Sequence, residues 1–131
     1  MQSKAGVAAY LDTRRATVVE GASAHELTAM LMQGAIERIA IARGMIGHGD
    51  MAGKGQVITR CIDIVDELMG SLNMEAGGEM ARNLMALYEY CKHGLLEASL
   101  HNDVDRLDEI AGLIGTLHEG WQAMPASERA A

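Results

Sequence analysis

Across residues 23–124 apolar side chains recur every three or four positions, the spacing that gathers them on one side of an α-helix. The pattern divides into four segments. The first opens on Ser23-Ala24-His25-Glu26, a capping box in which the Ser and Glu side chains reciprocally satisfy free backbone N–H groups, with His25 read simply as a first-turn residue. It runs to about residue 46, where Gly47-His48-Gly49 breaks it. Asp50 caps a second helix reaching to about Leu72, whose first turns Gly53 and Gly55 weaken by roughly 1 kcal/mol each relative to Ala. A third runs from about Gly77 to Leu100, and Asn102 or Asp103 caps a fourth that spans about 104–124 and stops at Pro125. Short connections between long helices imply antiparallel neighbours. The fold expected is therefore all-α: an antiparallel up-down four-helix bundle over residues 23–124, with an N-terminal segment, 1–22, packing on it and a tail, 125–131. Within 1–22, partly extended or a short helix, residues 16–19 hold the one strand-like pattern of the chain.

Projection at about 100° per residue separates the helices into two kinds. In the second, Ile58, Cys61, Val65 and Leu68 share an arc opposite Arg60, Asp63, Asp66 and Glu67; in the fourth, Leu107, Ile110, Ile114, Leu117 and Trp121 face away from Asp105, Asp108 and Glu119. The first carries more. Leu27, Met30, Leu31, Gly34, Ile41 and Met45 form the stripe read as core, while Met32, Ile36, Ile39 and Ile46 make a second stripe beside it, and Gln33, Glu37 and Gly44 mark the wet side. The third repeats this more weakly, with Met80, Leu84, Leu87, Cys91 and Leu95 inward and Met85, Leu96 and Leu100 displaced. One apolar arc suffices for a bundle helix. The surplus is either covered from within, by residues 1–22 or a wider core, or it is a partner groove, because large exposed apolar patches mark interaction sites and an amphipathic helix commonly fills them. Both hold if the N-terminal segment covers the groove only while the partner is absent.

Composition narrows the chemistry. The 131 residues suit one domain with a single core, and 49% apolar content excludes wholesale disorder. Phe is absent and aromatics total 3%, so the core is aliphatic, with 10 Met whose adaptable side chains suit irregular packing or an accommodating surface. A formal net charge of −7 with scattered basic residues argues against nucleic acid. No apolar run approaches a membrane span, and no signal peptide opens the chain. Cys61 and Cys91 sit within apolar stripes and read as small hydrophobes, either free thiols, which a soluble cytoplasmic reading favours, or joined in a disulfide.

Catalytic and metal chemistry find no support. Inward Glu-x-x-His pairs, which bundle metal sites require, do not occur; Glu89/His93 and Glu97/His101 stand four apart on the outer side of the third helix as solvated ion pairs. The Gly-Lys within residues 49–55 lacks the spacing, the Ser/Thr and the preceding strand of a phosphate loop. The chain is read as no enzyme, with no cofactor.

A string of short motifs carries further information. It comprises Ala9-Tyr10, Ala22-Ser23-Ala24-His25-Glu26-Leu27, Gly34-Ala35, Gly49-Asp50, Asp63-Ile64-Val65-Asp66-Glu67-Leu68 and Ser71-Leu72. Gly77-Gly78-Glu79-Met80-Ala81-Arg82-Asn83-Leu84, Leu87-Tyr88-Glu89-Tyr90, Leu95-Leu96-Glu97-Ala98 and Asn102-Asp103 complete it. In order and spacing, over residues 10–121, the string resembles the flagellar secretion chaperones of the FliS family. Three places depart from the family pattern: Ala24 stands where Pro is usual, Met32-Gln33-Gly34 where an aromatic-acidic-Gly triplet is usual, and Leu11 to Arg15 where Gln-rich residues are usual. These bear on partner contacts near the first helix, not on the fold.

The resemblance implies a cytoplasmic chaperone that binds the disordered C-terminal segment of flagellin, prevents its premature polymerisation and supports its export, with neither nucleotide nor metal. The segment would fold into helices along apolar grooves, at an ordering cost that permits later release. The complex would engage the export gate of the flagellar secretion apparatus, and Tyr10 would anchor the N-terminal cover that the partner displaces. The partner-binding residues expected are Tyr10, Met32, Ile36, Ile39, Ile46, Met85, Leu96 and Leu100. On this reading the free chain is a monomer or weak homodimer that binds no nucleic acid and inserts in no membrane; Ile36→Asp or Ile39→Asp weakens flagellin binding more than thermal stability. The alternative is a helical homodimer, structural or regulatory, whose surplus stripes pair with each other.

Overall fold

The computed structural model describes residues 23–125; Tyr10, the stretch 16–19 and the N-terminal cover expected over the bundle lie outside the described residues. Within them the chain forms four helices and no strand: α1 (Ala24–Gly47), α2 (Met51–Gly70), α3 (Gly78–His101) and α4 (Val104–Ala123). Each packs on its chain neighbours and α1 closes on α4, so the four make an up-down bundle. All the described helices fall within about two residues of the spans expected from periodicity and caps.

The ends follow local chemistry. The Ser23 hydroxyl accepts from the Glu26 N–H at 3.1 Å while the Glu26 carboxylate accepts from the Ser23 N–H at 3.1 Å, completing the capping box. The Asp50 carboxylate accepts from the Gly53 N–H at 2.9 Å, and that of Asp103 from the Arg106 N–H at 3.0 Å. Of the two residues proposed to cap α4, Asp103 does so; Asn102 instead ends α3 in the left-handed region, at φ 51°, a conformation its short polar side chain tolerates. The Gly77-Gly78 pair is dictated by the turn into α3. A Cβ on Gly77 would lie 2.6 Å from the Asn73 carbonyl oxygen that its N–H binds, and Gly78 takes φ 55°.

The core is aliphatic, as the composition requires, with Tyr88 and Trp121 the aromatic exceptions. Cys61 and Cys91 are buried free thiols inside it. The Cys61 thiol donates to the Ala35 carbonyl at 3.5 Å, which records how closely α2 approaches α1 at that alanine. At the far end of the bundle Trp121 clasps α4 to α1. Its indole N–H donates to the His25 carbonyl at 3.0 Å and its ring stacks on the His25 imidazole, centroids 4.9 Å apart. His25 is therefore a buried packing residue rather than a plain first-turn residue.

One expectation is corrected here. The stripes of α1 are exchanged: Met32 and Ile39 are core, together with Ala35 and Ala42, while the stripe read as core is partly outward, with Ile41 50% exposed and Leu27, Met30 and Met45 half-buried. Ile36 and Ile46 flank the core, half-buried and packed against it. The wet side was read correctly. Gln33, Glu37 and Gly44 point directly away from Ala35 and Ala42, and these two small residues are what allow α1 to approach its neighbours. Size-weighted hydrophobicity passed over the alanines and so chose the wrong stripe.

Candidate partner-binding surface

The residues expected to meet a partner divide into three groups. Tyr10 lies outside the described residues; Met32 and Ile39 are sealed in the core, with Ile36 and Ile46 at its edge. The third group stays accessible. Leu96 is 46% and Leu100 78% exposed, and Met85 is half-buried on the same helix.

Two polar contacts fix where that helix face lies. The Lys92 ammonium meets the Asp66 carboxylate at 2.8 Å, and the buried Lys54 donates to the Ser99 carbonyl at 2.6 Å. Ser99 belongs to the last turn of α3, whose carbonyls lack helical partners and carry the negative end of the dipole, so an ammonium is favoured there. Lys92, Leu96 and Leu100 stand four apart and so form one row along α3. Lys92 reaches α2, Leu96 stands next to it on the row, and Leu100, 78% exposed, projects furthest outward.

Across the seam α2 presents Met51, Gly55, Ile62 and Met69 on one side of its helix. A Cβ built on Gly55 meets nothing within 4 Å, so the space above it is open. Ile62 and Met69 are half-buried against the core, and Met85 stands at their end of α3. Met51, Gly55, Ile62 and Met69 of α2 and Met85 and Leu96 of α3 border the trough between the two helices, which the Lys92–Asp66 pair crosses, with Leu100 projecting at the end of the Leu96 row. From Met51 to Met69 it runs ~27 Å at 1.5 Å per residue, enough for five turns of a guest helix.

The other seams are differently made. Between α3 and α4, Arg106 reaches Glu97 at 3.0 Å and Glu109 at 3.4 Å and lies over the Tyr90 ring, whose hydroxyl donates to Glu109. That hydrogen bond is the main reason the Tyr90 phenol titrates above its ordinary range. Between α1 and α4, Arg43 bridges to Asp108 at 2.9 Å. Both seams are polar at the rim. The ion pairs expected within α3 are partly redrawn: Glu97 serves Arg106, with His93 4.0 Å away.

No group of three or more His, Cys, Asp or Glu able to hold a metal occurs among the described residues. The thiols are buried, and burial pushes Cys61 up to about 12 and Cys91 up to about 11, so neither is a nucleophile near neutral pH. No described helix is long and apolar enough to cross a membrane. Sequence reasoning named Met85, Leu96 and Leu100 on α3 and none of the α2 residues that border the trough. The available signal was Gly55, a glycine in the first turns of α2 standing off the core arc, read only as a weak helix position.

Comparison with known proteins gives this surface its context. The family model described as Flagellar protein FliS matches residues 6–128. The chain is 37% identical over 123 residues to the flagellar secretion chaperone FliS of Salmonella typhimurium, covering 93% of this chain and 91% of that protein. It is 41% identical over 106 residues to the flagellar secretion chaperone FliSB of Pseudomonas aeruginosa, covering 81% and 84%. Over 111 residues it is 31% identical to the flagellar secretion chaperone FliS of Bacillus subtilis, covering 85% and 82%. The match spans nearly the whole chain, all four helices and the trough between α2 and α3: this chain belongs to the FliS family of flagellar secretion chaperones.

Proposed function

We propose that the chain holds the C-terminal segment of flagellin in the cytoplasm, folded as a helix in the α2–α3 trough, and so prevents flagellin from polymerising before export. The observation that carries this reading is the exposed pair Leu96 and Leu100 on one row of α3. Isolated surface leucines are ordinary, but an aligned exposed pair beside a helix–helix seam is apolar surface that a partner helix can cover. A guest segment that is disordered alone pays its ordering entropy on docking, which keeps the net affinity moderate and the complex reversible. That suits a cargo that must be handed on, and in this reading the chaperone–flagellin complex is what the export gate receives. The outward face of α1, with Ile41 half exposed, offers further apolar surface for the same segment as it wraps the bundle.

Calorimetry tests the proposal. The full chain should bind a peptide of the flagellin C-terminal segment one to one, and Leu96→Asp with Leu100→Asp should abolish that binding while leaving the melting temperature within a few degrees. A folded chain that ignores the peptide removes the flagellin reading. Sedimentation of the free chain at micromolar concentration distinguishes the homodimer alternative, in which the same two leucines pair between copies and their substitution dissociates a dimer.

A further inference from the structure

We propose that the partner seated on the α2–α3 seam presents a basic side chain, best an arginine, to Asp66, with apolar residues on either side of it. This deepens the reading of that seam as the partner site and rests on it. Apolar side chains border the seam on both sides of the place where Lys92 meets Asp66: Met69 and Met85 toward one end, Ile62 and Leu96 toward the other. The crossing itself is charged and wet. The Lys92 ammonium and the Asp66 carboxylate lie 2.8 Å apart with side chains 38% and 40% exposed. Glu89, exposed, stands three positions before Lys92 on the outer side of α3. Two carboxylates thus face one ammonium, in a chain whose net charge is already −7. The cations around them are engaged or distant. Lys54 donates to Ser99, His93 stands 4.0 Å from Glu97, and Arg82 is two turns along α3 from Glu89.

A helix laid over this crossing removes the water that solvates it. A bridge taken out of water costs more than its own attraction returns unless further hydrogen bonds complete both ends. Lys92 has donors beyond the one it gives Asp66, and Glu89, one turn away, is placed to accept from it. One negative charge then remains uncompensated. A guest cation on Asp66 brings the group to neutrality, with Lys92 free to turn toward Glu89. A guanidinium serves better than an ammonium, because its planar fork meets a carboxylate through two parallel donors and it is the more weakly hydrated ion. A guest acid would instead add a third carboxylate, and a wholly apolar guest would bury the odd charge. The crossing therefore sets register and specificity, while the apolar residues to either side supply buried area.

The test is calorimetry of the full chain with the flagellin C-terminal peptide, each variant being checked by circular dichroism and melting temperature. Asp66→Asn should weaken binding about tenfold, and Glu89→Gln should weaken it in the same direction. Glu89 is exposed, so its substitution removes charge without opening a helix contact. Lys92→Met keeps the aliphatic stem and removes the competitor for Asp66, so it should bind more tightly than wild type. Raising salt from about 0.1 M to about 1 M shortens the screening length from about 10 Å to about 3 Å. That change should weaken wild-type binding severalfold and the Asp66→Asn, Glu89→Gln double variant much less. A peptide with its Arg and Lys residues replaced by Gln should bind weakly and be indifferent to Asp66→Asn. Tighter binding by Asp66→Asn, a loss in Lys92→Met as large as in Asp66→Asn, or equal affinity for all variants overturns the basic-guest proposal while the flagellin reading stands. Failure of the unsubstituted chain to bind the unsubstituted peptide overturns both.

Discussion

At Gly77 a Cβ would lie 2.6 Å from the Asn73 carbonyl oxygen and 2.6 Å from the Ala81 Cβ, whereas at Gly55 it would meet nothing within 4 Å. The same substitution should therefore have opposite effects. Gly77→Ala should lower stability by about 1–3 kcal/mol through overpacking against backbone that cannot yield. Gly55→Ala should raise it by about 1 kcal/mol, because an open helical position gains propensity at no steric cost. Urea unfolding followed by the fluorescence of Trp121, the one tryptophan, measures both. The thiols give a prediction of their own. Burial holds Cys61 at about 12 and Cys91 at about 11 against an ordinary value of 9.0. At low pH both are neutral in the folded and unfolded chain; above pH 9.0 the unfolded thiols ionise while the folded ones do not. Their contribution is thus fully present below pH 9.0 and is lost as pH rises toward 11 and 12. The urea midpoint should fall through that window, and a disulfide reagent at pH ~8 should modify neither thiol until the chain unfolds.

Among the elements, helix ends and helix faces were unequally legible. Ser23, Glu26, Asp50, Asp103 and Pro125 act on backbone groups within a few positions of themselves, so the sequence places every boundary closely. Which side of α1 turns inward depends on partners far along the chain. Two apolar stripes competed, and the one bearing Ala35 and Ala42 won because close approach to neighbouring helices gains more contact than the bulkier stripe gains from its own size. The clasp between α1 and α4 is equally invisible in the sequence, since His25 and Trp121 are 96 residues apart. Trp121→Ala should cost about 3–5 kcal/mol, the range for emptying a large aromatic site. Hydrogen exchange should then show the first turns of α1 opening ahead of the rest of the bundle.

The whole molecule separates residues that hold it together from residues that face outward, and the separation can be measured. Ile39 is core and Leu100 is mostly exposed. Ile39→Asp should unfold the bundle, since a buried unpaired carboxylate costs several kcal/mol against a total stability of about 5–15 kcal/mol. Leu100→Asp should leave the fold intact and reduce binding of the flagellin peptide by tenfold or more. Comparable melting temperatures for the two variants would show that the faces have been wrongly assigned. The expectation that Ile39→Asp weakens binding more than thermal stability is replaced by this one.

By itself the sequence determined the helices, their caps, the aliphatic core and, through its ordered motifs, the family. Those properties are local or compositional: each is written within a few residues of where it acts or summed over the chain. Only the tertiary structure decided which α1 stripe is core, that Lys54 and Lys92 pin α2 to α3, and that the space over Gly55 is open. The reason is that a groove belongs to two helices at once. Periodicity reports how apolar a face is, but whether that face is filled depends on the neighbour that folding brings beside it.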